Sequence, residues 1–212
     1  MKKVKLFLSS TFDQSMITHR YLFRNELRFR LEEELGQYGI YFYLYDFELG
    51  IPKNTKPENV IRMCLRAVAG SNMFIGIIGH KYGTPIKSFL RGTEEQETLK
   101  KEYPMLADAI DRNVSVLELE FLYAMNFAHK SRLFLVINNN VGKRDRRING
   151  LLSKIQQSGQ RCEETGSYSG IKNGVIEWVL SIVHGISVEI KPSALTAYAI
   201  RKTKYYVKDK QI

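Results

Sequence analysis

Several side chains suited to binding a nucleotide follow directly after apolar segments of the sequence. In an open parallel sheet, ligands bind in the crevice beyond the carboxyl ends of the strands. Small hydroxyls and glycines at such positions let a phosphate or a ribose approach backbone N–H groups closely. The candidate binding residues at these ends are Ser9, Ser10, Thr11, Phe12, Asp46, Gly79 and Tyr82.

The run Ser9-Ser10-Thr11 also has an ordinary structural interpretation. Serine and threonine are favoured at helix N-caps, and a long helical pattern follows this run. The residues by themselves therefore leave ligand binding and helix capping open.

A second group of candidates lies on a predicted helix that begins after Ser115. The spacing Ser115-x-x-Glu118 matches a capping box, which indicates a structural role for Glu118. Glu120 shares a helical stripe with Ala124 and Phe127, and a carboxylate beside an alanine has space for a ligand next to it. We therefore take Glu120 as the candidate catalytic residue and Ser115 as a further substrate-binding candidate. An exposed glutamate favoured by the helix dipole is the alternative interpretation of Glu120.

Common cofactor and catalytic motifs do not occur in this sequence. It contains no GxGxxG, no GxxxxGK(S/T) and no GxSxG, which disfavours a dinucleotide-cofactor fold, a P-loop and a serine hydrolase. Cys64 and Cys162 form no CxxC pair and the four histidines are scattered. We therefore expect no metal site, no disulfide framework and no bound cofactor.

The composition is that of an ordinary globular protein. Of the 212 residues, 44% are hydrophobic and 25% are charged, and the formal net charge is +10. Basic residues concentrate at 143–147 and 201–210 with few aromatic residues between them, which favours a partner-docking or solvated surface over nucleic-acid binding. No apolar run approaches the roughly 18 residues that span a bilayer, and the apolar start is too short for a signal peptide. We therefore expect a cytoplasmic protein without a membrane segment.

Strand and helix patterns alternate along the chain, which predicts an α/β domain with a mostly parallel sheet covered on both faces. The predicted strands are 4–9, 40–46, 73–79, 132–138 and a short one at 166–169. The predicted helices are 15–35, 57–68, 116–129, 146–157 and 170–183. Residues 80–114 are irregular, and we expect one short helix there. The predicted domain covers residues 1–190, followed by a C-terminal helix and basic tail over residues 191–212.

Three sequence blocks in the first 124 residues match known motifs. They read KLFLSSTF at 5–12, Cys64-Leu65 followed by FIGIIGHKYG at 74–83, and SVLELEFLYA at 115–124. In this order they resemble the VFLSSTF, CL…FIGLLGxRYG and SxTELEF.YA motifs of a TIR-like family, which is also similar to nucleoside 2-deoxyribosyltransferases. Members commonly form the N-terminal module of STAND NTPases in innate immunity and antiphage defence. The resemblance implies a flavodoxin-like (TIR-like) three-layer sandwich around a mostly parallel five-stranded sheet.

The resemblance also implies roles for particular residues. Glu120 corresponds to the glutamate of the ExxxA motif in deoxyribosyltransferase-like sites and to the glutamate of NAD-cleaving TIR domains. Ser9 and Ser10 would line a ribose or phosphate pocket, with Tyr82 at its rim. The chain departs from the family where DLRWG becomes DFELG at 46–50.

Two further departures concern polar positions. The acidic–arginine pair of the family's first helix is His19-Arg20 here, and the threonine of SxTE is Leu117. Each of these differences removes a polar or charged group that the family's site contains.

The leading functional hypothesis is cleavage of an N-glycosidic bond, with NAD(P)⁺ as substrate rather than cofactor. One carboxylate can stabilise or trap the ribosyl cation of such a reaction. The alternative is a non-catalytic module that senses a nucleotide, self-associates or docks a separate partner such as an NTPase sensor. A nucleic-acid binder is a third and less favoured interpretation.

Overall fold

The protein is an α/β domain built on one parallel sheet. The computed structural model describes residues 2–10, 17–45, 55–90, 92–127, 131–137, 144–160, 162–165 and 168–187. The five strands are β1 (Lys3–Ser10), β2 (Tyr41–Tyr45), β3 (Met73–Ile78), β4 (Ser131–Ile137) and β5 (Cys162–Thr165). All neighbouring pairs are parallel, in the order β2-β1-β3-β4-β5. This order is that of flavodoxin-like folds and confirms the predicted fold class.

Helices cover both faces of the sheet and complete a three-layer sandwich. The α-helices of the described residues are α1 (Ile17–Gly36), α2 (Pro57–Gly70), α3 (Thr93–Glu102), α4 (Ala107–Asp111), α5 (Val116–Met125), α6 (Arg146–Gln157) and α7 (Tyr168–Ser187). One apolar core joins α1 and α7 to one face of the sheet, and a second joins α2, α5 and α6 to the other. None of the described helices combines the length and the hydropathy needed to cross a membrane.

Burial along each strand follows its place in the sheet. The central strand β3 is buried at all six positions, as its continuous apolar sequence predicts. In β1 the side chains alternate, so that Leu6 and Leu8 contact the α1 and α7 side while Phe7 contacts the α2 and α5 side. Ser9 is two residues after Phe7 in β1 and therefore lies on the same face of the sheet as Phe7 and α5.

Three sequence predictions need correction. Strand β5 occupies Cys162–Thr165, and residues 168 and 169 of the strand predicted at 166–169 belong to α7. A strand with two glutamates has no apolar run to reveal it. Residues 80–114 contain two α-helices and two 3₁₀ turns, at Ile86–Ser88 and Pro104–Leu106, rather than one short helix. The helix predicted to reach residue 129 ends at Met125.

The early end of α5 has a local cause. The Asn126 side chain donates to the Leu122 carbonyl, and the Asn126 backbone N–H donates to the Tyr123 and Ala124 carbonyls. Because these bonds satisfy carbonyl groups in the last turn of the helix, the helix can end at Met125 without leaving them unpaired. The predicted C-terminal helix and tail at 191–212 lie outside the described residues.

The position of α5 depends on a glycine in the central strand. A Cβ built on Gly76 would lie only 2.4 Å from Cζ of the Phe121 ring. Phe121 is fully buried and packs edge-on against Phe74, with ring centroids 5.4 Å apart. The ring therefore occupies the space of a missing side chain, and α5 lies close against the sheet.

Gly76→Ala tests this packing. We expect a loss of about 1–3 kcal/mol in the free energy of unfolding, because the added methyl group overpacks a rigid region. Urea denaturation measures the loss, and Gly150→Ala in α6, where a Cβ meets nothing within 4 Å, is the matched control. Phe121→Leu should cost less in the Gly76→Ala background than in the wild type. If the losses in stability from Phe121→Leu and Gly76→Ala simply added in the double variant, the contact between Phe121 and Gly76 would be contradicted.

Candidate functional site

Ser9 and Glu120 meet at the carboxyl end of the two central strands. The chain leaves β1 toward one side of the sheet and β3 toward the other, so the crevice between them is the expected ligand site of this topology. Ser9 pairs with Gly76 in β3, and at that glycine no β3 side chain separates the strand from α5. The Ser9 hydroxyl donates to Oε2 of Glu120, and both residues are buried.

Two further helices bring polar groups to this carboxylate. The Cys64 thiol of α2 donates a hydrogen bond to Glu120, and Arg24 of α1 attracts it electrostatically. Nη2 of Arg24 lies 3.3 Å from the Ser10 hydroxyl oxygen, at the end of β1. One strand and three helices thus contribute to a site in which a carboxylate is held by a hydroxyl, a thiol and a nearby guanidinium.

Glu120 is 8% exposed, and the burial of its carboxylate is the main influence on its pKa. Removal from water raises its pKa to about 7, while the bonds from Ser9 and Cys64 and the charge of Arg24 act in the opposite direction. Near neutral pH the site therefore contains both the acid and the carboxylate form. Burial and the adjacent Glu120 raise the pKa of Cys64 far above its ordinary value, so this cysteine stays a neutral thiol and is not a nucleophile.

Tyr82 belongs to a different cluster from the one that the sequence suggested. Its hydroxyl donates to Oε2 of Glu118, whose other oxygen lies 2.7 Å from Nζ of Lys154. Glu118 and Glu120 are two positions apart on α5, which turns their side chains by about 200°. The rim position predicted for Tyr82 is thus replaced by a buried position beside Glu118, with the Arg147 guanidinium 4.4 Å from its ring centroid.

The N-terminus of α5 is capped in part as predicted. The Ser115 hydroxyl accepts a hydrogen bond from the Glu118 N–H at 3.1 Å, as in a capping box. The Ser115 N–H, however, donates to the Tyr82 hydroxyl rather than to a returning glutamate side chain. Burial, more than the bond to Glu118, raises the pKa of Tyr82 to about 12, so its hydroxyl remains a donor.

The candidate residues therefore divide into three sets. Ser9, Ser10 and Glu120 form the site at the end of β1. Tyr82 and Ser115 belong to the Glu118 cluster, and Gly79 is buried just beyond β3. Thr11, Phe12 and Asp46 lie outside the described residues.

Sequence reasoning missed Arg24 and gave Cys64 no role. Arg24 precedes the apolar stripe Leu27, Leu31 and Leu35 at helical spacing and is as buried as a core residue. An arginine that continues a buried stripe is a signal that the sequence does contain, because a charge in that position needs a partner. Cys64 lies in the equivalent stripe of α2, where a thiol is indistinguishable from an ordinary small core residue.

The chemistry of this group of residues is that of charge stabilisation and proton transfer. A buried carboxylate can stabilise a developing cation, form a covalent bond to it or exchange a proton, depending on its ionisation. The described residues contain no grouping of three or more His, Cys, Asp or Glu side chains that could hold a metal ion.

Comparison with protein families identifies a family model that matches most of the chain. The family model described as a domain of unknown function, DUF4062, matches residues 5–169. The chain belongs to the DUF4062 family. The match contains β1 from residue 5 onward, β2 to β5 and every residue of the Glu120 site, and its description assigns the family no activity. The comparison with curated proteins gives no match.

Glu120→Gln should stabilise this DUF4062 domain at alkaline pH. The folded-state pKa of Glu120, about 7, lies above the ordinary glutamate value of 4.5, so the folded protein holds this proton more tightly than the unfolded chain does. Its contribution to stability is therefore complete below 4.5 and is lost as the pH rises through 7. By about pH 8 the variant should exceed the wild type by about 3 kcal/mol in free energy of unfolding, and near pH 4 the two should coincide.

Denaturant titrations across this pH range make the measurement. Glu94→Gln, at an exposed position of α3, is the matched control and should leave the pH dependence unchanged. A stability difference for Glu120→Gln that is constant with pH would contradict the burial of an ionisable carboxyl at this position.

Proposed function

We propose that this DUF4062 domain cleaves the N-glycosidic bond of a nucleotide, with NAD⁺ or NADP⁺ as the favoured substrate and Glu120 as the catalytic carboxylate. The observation that carries the proposal is the buried Glu120 side chain at the β1–β3 crevice, held by Ser9. The resemblance of three sequence blocks to TIR-like and nucleoside 2-deoxyribosyltransferase-like proteins supports the same assignment. All three blocks lie within the residues that the family model matches.

The proposed reaction needs one carboxylate and no metal. The bond between ribose C1′ and the nicotinamide nitrogen breaks, and its electron pair stays on that nitrogen. Nicotinamide then leaves as a neutral molecule without protonation by a general acid. The ribosyl cation that remains is stabilised or trapped covalently by Glu120, and water adds at C1′ with loss of a proton.

The residues around Glu120 would serve this reaction by holding the carboxylate in place. Ser9 and Cys64 donate to it from different elements, which limits rotation of the side chain. A low-dielectric site strengthens the attraction between the carboxylate and a developing cation. Ser10 and Arg24, side by side at the end of β1, would face the ribose or phosphate part of the substrate.

Glu120→Gln should abolish cleavage. The amide keeps the shape of the carboxyl group but removes the charge that stabilises the cation, so we expect a loss of at least ~100-fold in kcat. The assay is release of nicotinamide or free base from NAD⁺, NADP⁺ and a nucleoside panel, separated by chromatography. Glu118→Gln, on the opposite side of the same helix, is the matched control and should retain turnover. Equal turnover by Glu120→Gln and the wild type would exclude Glu120 as the catalytic group.

The pH dependence of cleavage should follow the ionisation of Glu120. Because the carboxylate form is the active one, kcat/KM should rise with pH, pass its midpoint at about 7 and level off above it. Ser9→Ala removes a hydrogen bond that lowers this pKa, so the midpoint should move to higher pH. Initial rates in constant-ionic-strength buffers measure both profiles. If Ser9→Ala left the midpoint unchanged, the pH dependence of cleavage would not report the ionisation of Glu120.

The second candidate function is a non-catalytic module that binds a nucleotide or assembles with partners. The observation in its favour is the pair of exposed aromatic side chains on the edge strand β2, Tyr41 and Tyr43, which lie beside Lys3 of β1. Such a module could associate with itself or with a separate NTPase sensor protein. It predicts assembly without turnover, unaffected by Glu120→Gln.

A further inference from the structure

Two adjacent residues at the end of β1 lie on opposite faces of the sheet and contact groups of opposite charge. Ser9 lies on the face that α2 and α5 cover, where it donates to Glu120. Ser10 lies on the other face together with Leu8, and Nη2 of Arg24 in α1 is 3.3 Å from its hydroxyl oxygen. A carboxyl group and a guanidinium therefore approach the same strand end from its two sides.

The Arg24 side chain brings a positive charge into the interior beside this strand end. Arg24 is 4% exposed and lies three residues before Leu27 on the buried stripe of α1. It is near enough to Glu120 to lower the pKa of that carboxyl group electrostatically. Ser10 is only partly buried, so the contact between the guanidinium and the hydroxyl lies where the site borders solvent.

A guanidinium and a hydroxyl side by side are suited to binding a phosphate. The N–H donors of a guanidinium form a planar fork that matches two phosphate oxygens, and the group stays charged throughout the physiological pH range. The Ser10 hydroxyl accepts from Arg24 and can donate its own proton to a phosphate oxygen. Hydrogen bonds between charged groups are stronger than those to a neutral ribose hydroxyl. The pair therefore favours a phosphate over a ribose hydroxyl.

The position of Glu120 determines which phosphate of a nucleotide this would be. In the cleavage proposed above, C1′ of the ribosyl group faces Glu120. The 5′-phosphate belongs to the same ribosyl group and is joined to C1′ through the ring oxygen, C4′ and C5′. It is therefore the charged group nearest to the bond that breaks, and the other phosphates of NAD⁺ or NADP⁺ lie farther from that bond.

Arg24 also offsets a repulsion that such a substrate introduces. A phosphate near an ionised Glu120 places two anions in a site of low dielectric constant, which weakens binding and disfavours the carboxylate form. A guanidinium close to both anions attracts each of them and reduces this cost. The same residue can thus bind the phosphate and keep the carboxylate ionised.

We propose that Arg24 and Ser10 form a subsite for the 5′-phosphate of the ribosyl group whose C1′ faces Glu120. The domain then acts on nucleotides and discriminates against nucleosides, which lack this phosphate. The adenylate half of a dinucleotide lies outside the subsite, so a mononucleotide is a sufficient substrate. The inference rests on the proposed function for the placement of the ribosyl group, whereas phosphate binding by Arg24 is measurable without turnover.

Calorimetric titration of the full chain with ribose 5-phosphate tests the subsite without catalysis. Ribose 5-phosphate should bind the wild type and Glu120→Gln, and Arg24→Gln should weaken its binding about 100-fold, the scale of a lost charge-assisted contact. Ser10→Ala should weaken it about tenfold. Arg28→Gln, one turn later and exposed on α1, is the matched control and should bind like the wild type. Ribose and inorganic phosphate, titrated separately, should each bind more weakly because each makes only part of the contacts.

Cleavage of two matched substrates connects the subsite with the reaction. Nicotinamide mononucleotide and nicotinamide riboside differ only in the 5′-phosphate. For the wild type, kcat/KM should be about 100-fold higher for the mononucleotide, and Arg24→Gln should remove most of that preference. A purely structural role of Arg24 would instead lower kcat/KM for both substrates alike.

Several results would overturn the subsite. Ribose 5-phosphate that binds no more tightly than ribose or inorganic phosphate would do so, as would binding that Arg24→Gln and Ser10→Ala leave unchanged. Cleavage of both substrates with equal kcat/KM would also overturn it and leave the proposed cleavage intact. Arg24-dependent binding of ribose 5-phosphate without cleavage of either substrate would support the subsite and contradict the proposed function. Circular dichroism establishes that each variant is folded, and Ser10→Ala decides the outcome if Arg24→Gln is not.

Discussion

The close packing of Phe121 on Gly76 sets the distance between α5 and the sheet, and the candidate site depends on that distance. An aromatic ring occupies the volume that any side chain on the central strand would need. With α5 this close, the residue before Phe121 reaches the end of β1, where Ser9 meets it. Protein interiors have almost no spare volume, so a change of one methyl group at Gly76 would be transmitted to the carboxylate.

The price of this arrangement is a carboxyl group out of water. A buried carboxyl that must ionise lowers the stability of the fold, and Ser9, Cys64 and Arg24 offset that loss only in part, since its pKa remains about 7. Groups with such perturbed protonation cluster at functional sites, because a pKa near the working pH makes both forms available. Glu118, on the same helix, is also buried, but each of its two carboxylate oxygens has a partner, Tyr82 for one and Lys154 for the other.

The two glutamates also show how far sequence reasoning reaches. The Ser115-x-x-Glu118 spacing predicts a structural role for Glu118, and the helix begins at Val116 with Ser115 as its cap. The place of Glu120 on the stripe with Ala124 predicts space for a ligand beside it and leaves its exposure open, and the structure buries it against Ser9. Tyr82 was assigned to the same pocket because it follows β3, as Gly79 does. Adjacency in sequence does not determine the direction of a loop side chain, and here the loop directs the hydroxyl to the opposite side of α5.

The sequence by itself determined the α/β class and most strand and helix positions, because these follow from hydrophobic periodicity and residue type. The resemblance of its motifs, rather than periodicity, singled out Glu120. Patterns of periodicity and residue type report only local preferences. Strand β5 has polar residues that give no strand pattern, and it forms because it pairs with β4. Tertiary structure alone decided which groups surround the carboxylate. Arg24 and Cys64 come from helices that are distant in sequence from Glu120, and they meet it because the strand order brings β1 and β3 together at the centre of the sheet.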